Sequence, residues 1–166
     1  MKHKLRASIL NPLVVVALFV MAIPATVLAV DSTNIVLEPT PVEINGGQPF
    51  TVTLKINNVP VSGMYAYFFK ITFNNTVINF DENMNDHEWL EPAFGSPAAF
   101  NVRNDQGYIS FTDYITSGAP SGDITLVRLH GTAIAPQTAS TGLHFAEAEI
   151  DDFNANPIPA AVIDGR

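Results

Sequence analysis

Apolar and polar residues alternate with a period of two along most of this chain, most densely over residues 64–80. Tyr65, Tyr67, Phe69, Ile71 and Phe73 are large and apolar at every second position, as in a strand with one buried face. The intervening positions begin Met64, Ala66 and Phe68 before turning polar, so the first half of this strand is apolar on both sides. Such a strand is either covered on both faces or offers a sticky face to a partner. Asn74-Asn75 reads as a sharp corner, because Asn makes Asx-turns and tolerates left-handed backbone. Residues 76–80 read as a short return strand, and Asn74-Asn75-Thr76 is also an N-glycosylation sequon at a surface corner.

The same alternation predicts strands at 34–38, at 49–56 (Phe50, Val52, Leu54 and Ile56 on one face), at 124–135 and at 142–150. Residues 98–103 and 108–114, joined by Asn104-Asp105-Gln106-Gly107, read as a hairpin. Residues 81–97 are polar and irregular, with Trp89-Leu90 expected to anchor them to the body through a short turn. The chain ends just after Asp164-Gly165, which reads as the turn into one more strand, so a last strand that is missing or very short is expected. Eight or nine short strands, turns rich in Gly, Pro and Asn, and no amphipathic helix predict an all-β chain folded as an antiparallel β-sandwich.

The first 29 residues stand outside this pattern. Lys2, Lys4 and Arg6 precede an apolar run at 13–25 and the small-residue signal Val27-Leu28-Ala29, which predicts a signal peptide at 1–29 and a single domain at 30–166. An uncleaved membrane anchor is the alternative; Pro12, Pro24 and the cleavage signal favour export, to a secreted or cell-surface location. Without the leader, five basic residues (Lys55, Lys70, Arg103, Arg128, Arg166) face sixteen acids. That balance argues against nucleic acid and anionic membrane surfaces as partners. There is no cysteine, which excludes thiol chemistry and Cys-based zinc sites and leaves the core alone to hold the domain.

Signals for chemistry are weak. Asp81, Asn83 and Asn85 mimic the start of an EF-hand loop, but Asp86 stands where Gly is needed and Pro92 where the bidentate Glu is needed. A looser calcium site from Asp81, Asn83, Asn85 and Asp86 is the alternative to a solvated acidic loop, which the composition favours. Asp151-Asp152-Phe153-Asn154-Ala155-Asn156-Pro157 fails as a calcium loop for the same reasons and reads as a turn. His87, His130 and His144 share no metal-ligand spacing, so no cofactor is expected. No G-x-S-x-G or similar context surrounds a serine, and so short a chain leaves little room for a substrate cleft beside a sandwich core. The expectation is a binding module and not an enzyme.

Several blocks together resemble the cohesin domain. Val59-Pro60-Val61-Ser62-Gly63 followed by Tyr67-Phe68-Phe69-Lys70-Ile71-Thr72-Phe73-Asn74-Asn75-Thr76-Val77-Ile78-Asn79-Phe80 is similar to its "N-V-P-x-S-G … F-x-L-x-Y-D-P-x-V-L-x-F" stretch. Residues 104–111, 121–129 and 143–158 are similar, in order and spacing, to three later blocks. Departures are Asn74-Asn75 for the usual Asp-Pro, Gly131 where a large apolar residue is common, and Asn156 for a late Gly.

The resemblance implies a nine-stranded jelly roll, close in fold to certain cellulose-binding modules. It also implies docking of a dockerin, a small helical calcium module, in extracellular polysaccharide-degrading or cell-surface assemblies. It places the docking face on one sheet, where alternation points Met64, Ala66, Phe68 and Lys70, then Tyr108, Ser110 and Thr112, then His144 and Ala146 outward. The competing expectations are a loop at 82–97 folded over that face, a carbohydrate-binding module using Trp89, Tyr108 and Tyr114, and a structural or adhesion module without a dedicated ligand.

Overall fold

The computed structural model describes residues 32–39, 42–136 and 139–164, so the predicted leader lies outside the described residues. The strands are β1 (Thr33–Glu38), β2 (Val42–Ile44), β3 (Pro49–Val59), β4 (Ala66–Thr72), β5 (Ile78–Phe80), β6 (Glu88–Trp89), β7 (Ala99–Arg103), β8 (Tyr108–Tyr114), β9 (Gly122–Ala133), β10 (Ala139–Thr141), β11 (His144–Asp151) and β12 (Ala160–Ile163). They form one sheet in the order β12-β1-β3-β9-β5, with β6 also on β9, and a second in the order β11-β4-β8-β7; β10 pairs with β2 apart from both. Pairing is antiparallel except between β1 and β12. The antiparallel sandwich that alternation predicts, with the jelly-roll topology of the resemblance, is the fold.

The core lies where the predicted apolar faces meet. Phe50, Val52, Leu54 and Ile56 of β3 are buried, as are Tyr67, Phe69 and Ile71 of β4 and Ile109 and Phe111 of β8. Each such side chain contributes about 1.5–3 kcal/mol on leaving water. Alternation slips once in β9: the β3–β9 register shifts between Leu54 and Lys55, and the neighbours Leu126 and Val127 are both buried. An extra residue in one strand of a pair produces that phase change.

Residues 81–97 do not fold over the second sheet's outer face. Asn83 caps a one-turn 3-10 helix (Met84–Asp86), accepting from the N–H of Asn85 at 3.0 Å. The chain then pairs β6 with β9 and drives Trp89 between the sheets, edge-on to Phe111 (5.6 Å) and Phe100 (5.9 Å). The indole N–H donates to the carbonyl of Met84 (3.1 Å), so the ring buries its body without stranding its polar atom. Phe94 follows, buried edge-on against Tyr67 at 5.0 Å. The segment therefore closes the sandwich between β9 and β7 and, among the described residues, leaves the opposite face of β11-β4-β8-β7 clear.

Candidate docking face

Register fixes which side chains share the open face. Opposed residues of antiparallel strands point to the same side. One row runs His144–Thr72–Tyr108–Arg103, the next Glu147–Lys70–Ser110–Asn101, the next Glu149–Phe68–Thr112–Ala99, and the last Asp151–Ala66–Tyr114. The sequence-predicted residues Ala66, Phe68, Lys70, Tyr108, Ser110, Thr112 and His144 are thus brought together on one surface. Half-buried Phe68 lies at its centre.

Met64 is a correction. It is fully buried, not outward. The outward phase holds only within β4, which begins at Ala66; upstream, the Met64 N–H donates to the carbonyl of Pro120 (2.9 Å), and Gly63 packs against Ala119. Those contacts carry Met64 beneath the loop before β9.

Strand β11 holds what alternation missed. Its register with β4 shifts between Phe145 and Glu147, so Ala146 is the extra residue and the phase flips after it. Phe145 packs inward on Phe69 (6.0 Å), and Glu147 and Glu149 then emerge on the open face. The sequence carried a sign of this. Phe145 and the pair Ala148, Ile150 cannot all face the core under strict alternation, and one inserted residue reconciles them.

Polar contacts order the face. Lys70 Nζ lies 3.5 Å from Glu147 Oε1 and 5.1 Å from the centroid of the Tyr108 ring, which holds the ammonium between a carboxylate and an aromatic face. Asn101 Nδ2 donates to the Tyr108 hydroxyl at 3.4 Å, and the Thr112 hydroxyl donates to the carbonyl of Tyr67 at 2.7 Å. At the corner, His144 Nδ1 lies 3.2 Å from Asp164. At another, the Arg103 guanidinium holds the Asp105 carboxyl below its usual range. The face has an apolar middle at Phe68 and Ala66, an acidic flank at Glu147, Glu149 and Asp151, Lys70 between them, and Arg103 at a corner.

The three aromatics considered for sugar stacking are not assembled. Trp89 sits between the sheets, while Tyr108 and Tyr114 stand at opposite ends of β8 on the open face. Asn83, one of the four residues considered for calcium, is committed to its helix cap. Among the described residues, no three His, Asp or Glu side chains converge as a metal site would need. His87 and His130, which share no metal-ligand spacing in the sequence, lie with rings parallel at 6.3 Å.

The family model described as "Cohesin domain" matches residues 35–165. Solved structures share the fold. The sixth cohesin of scaffoldin B from Acetivibrio cellulolyticus, in complex with a dockerin, has 16% identity and a TM-score of 0.65 over 81% of this chain and 96% of that one. The OlpC cohesin of a Clostridium thermocellum cohesin–dockerin complex has 17% identity and a TM-score of 0.66 over 81% and 90%. A non-cellulosomal cohesin from the hyperthermophilic archaeon Archaeoglobus fulgidus has 20% identity and a TM-score of 0.62 over 81% and 88%. No curated protein matches. With a family model spanning nearly all the described residues and a two-sheet architecture shared with solved cohesins, this chain belongs to the cohesin domain family.

Proposed function

We propose that this chain is an exported, non-catalytic module that docks a dockerin-type partner on the open face of β11-β4-β8-β7, within an extracellular or cell-surface assembly that degrades polysaccharides. The observation that carries the proposal is the face itself, a sheet surface that residues 81–97 leave clear among the described residues, with Phe68 at its centre and polar groups around it. Interfaces of this composition have an apolar centre and a polar rim. The sheet is held by backbone pairing on both sides of β4 and β8, so docking needs little rearrangement and loses little affinity to ordering. Solved relatives captured with dockerins support the choice of partner. The basic leader and its small-residue cleavage signal support export with removal of residues 1–29.

The test is a pull-down with this chain from the secreted proteins of its source, with and without a calcium chelator. Recovery of a protein carrying paired D-x-N-x-D-G calcium loops, lost on chelation and lost in Phe68→Asp, is expected. Retention on an insoluble polysaccharide with no protein recovered would refute the proposal.

A further inference from the structure

At the Asp151–Ala66–Tyr114 end, the open face runs into a groove of about 250 Å³ whose lining includes Tyr65, Tyr114, Ile115 and Phe153 together with Asp151 and Asp152. Two of its walls are large aromatic rings in water: Tyr114 is 69% exposed and Phe153 67% exposed. Exposed rings of this size beside an apolar groove mark interaction sites more often than ordinary surface.

Phe153 is held there by construction. It sits on the turn after β11, where the Asp152 carboxylate accepts from the N–H groups of Asn154 (2.8 Å) and Asn156 (2.9 Å) and from the Asn156 side chain. Ala155 adopts a left-handed φ of 57° that lets the turn close, a conformation a non-glycine residue enters at a cost. The Phe153 ring then meets Tyr65 edge-on at 5.0 Å. An apolar ring kept in water by a polar, partly strained turn is pre-organised, and pre-organisation favours binding.

We propose that Tyr65, Tyr114 and Phe153 form a socket for one large apolar side chain of the same partner that docks on the adjoining sheet. Two observations select this occupant. Ala66 and Tyr114 are a directly opposed pair that belongs both to the docking face and to the groove, so one partner spans both. The volume falls below the ~300–1,000 Å³ of pockets that enclose a free ligand, and suits a single side chain. The Asp152 carboxylate is already engaged by its own turn, which leaves Asp151 as the carboxylate in the lining that a sugar hydroxyl could meet.

The socket rests on the docking proposal, and one titration series separates the two. A dockerin module recovered as above is purified and titrated calorimetrically against the wild-type chain and against Phe68→Asp, Phe153→Ser and Tyr114→Ser, with unfolding midpoints checked for each. The expected result is loss of binding in Phe68→Asp and roughly tenfold or greater weakening in Phe153→Ser and Tyr114→Ser, with midpoints near wild type. Wild-type affinity in both serine variants, with Phe68→Asp inactive, overturns the socket and leaves the docking face standing. Weakening in the serine variants with Phe68→Asp unaffected moves the interface to the socket and overturns the sheet-face assignment. Loss of wild-type retention on an insoluble polysaccharide in Phe153→Ser identifies a sugar platform and overturns the side-chain socket.

Discussion

The Nδ1 atom of His87 accepts a hydrogen bond from the backbone N–H of His130 at 3.0 Å, and this contact fixes the protonation state of a buried imidazole. An N–H donor facing Nδ1 requires that nitrogen to be bare. Nε2, 3.0 Å from the carbonyl of Asp81, must then carry the proton. Only the neutral ring satisfies both partners. Burial holds the His87 pKa below its usual value, and the nearby positive charge of a protonated His130 acts in the same direction. The carbonyl of Asp81 and the carboxylates of Asp81 and Asp86 oppose the shift without reversing it.

A pH dependence follows. Because the folded pKa lies below the unfolded one, the unfolded chain binds more protons as pH falls through about 6.5, and stability falls with it. The loss begins near the unfolded pKa and is complete below the folded one. His87 joins the 3-10 turn to β6, so the 81–90 segment is the part expected to loosen. Unfolding midpoints measured from pH 7.5 to pH 5 should drop more steeply in wild type than in His87→Gln, whose amide does not titrate. Parallel slopes would refute this.

Tyr67 carries a different buried polar atom. Its hydroxyl is buried with no hydrogen-bond partner among the described residues, and burial, aided by the charge of Asp113, pushes its pKa far up. An unpaired buried hydroxyl costs about 1–3 kcal/mol, while the ring packs fully among Phe69, Phe94 and Phe111. Tyr67→Phe keeps the ring and removes the orphan atom. Its unfolding midpoint should equal or exceed that of wild type, with a gain of up to about 1 kcal/mol. A clear loss of stability would mean that the hydroxyl is satisfied.

What could be read from the sequence divides along local and non-local lines. Strand β8 occupies the residues that alternation assigned, and the Asn74 corner forms the expected turn, with Asn74 Oδ1 accepting from the N–H (3.0 Å) and hydroxyl (2.8 Å) of Thr76. Both depend on neighbours in sequence. Met64 was misassigned because alternation constrains a side chain only while its strand is paired, and nothing local announces that β4 starts two residues later. Glu147 and Glu149 were missed because the bulge at Ala146 is set by pairing with β4. The His87–His130 contact joins residues 43 apart through the β6–β9 pairing, and no period-two pattern encodes it.

Gly131 shows a departure from the family pattern being compensated in space. A Cβ there would lie 2.3 Å from the carbonyl oxygen of Asn79 and 2.7 Å from the Phe50 ring, which is itself edge-on to Phe80 at 5.3 Å. The ring occupies room that a larger residue at 131 would need. Gly131→Val should therefore destabilise by about 1–3 kcal/mol or more, the cost of overpacking. Phe50→Leu in the same chain should recover part of that loss and not all, because the Asn79 carbonyl belongs to β5 backbone and stays in place. A simple sum of the two single-variant losses would show that the ring and the Cβ do not compete.

Met64 and Phe68 make the sharpest test of which strand face is which. They are four residues apart on the same nominal side of an alternating run, yet one is fully buried and the other sits on the open face. Met64→Ala should cost about 2–5 kcal/mol, as expected where a core side chain leaves a cavity, with partner affinity unchanged under conditions where the variant remains folded. Phe68→Asp should invert that result. The carboxylate meets water, stability changes little, and the partner finds an unpaired charge at the centre of the interface. A second carboxylate opposite Glu149 adds a small local repulsion. Chemical denaturation and partner titration of the two variants decide the matter. If Phe68→Asp unfolds the domain while Met64→Ala does not, the open face is core and the docking assignment fails.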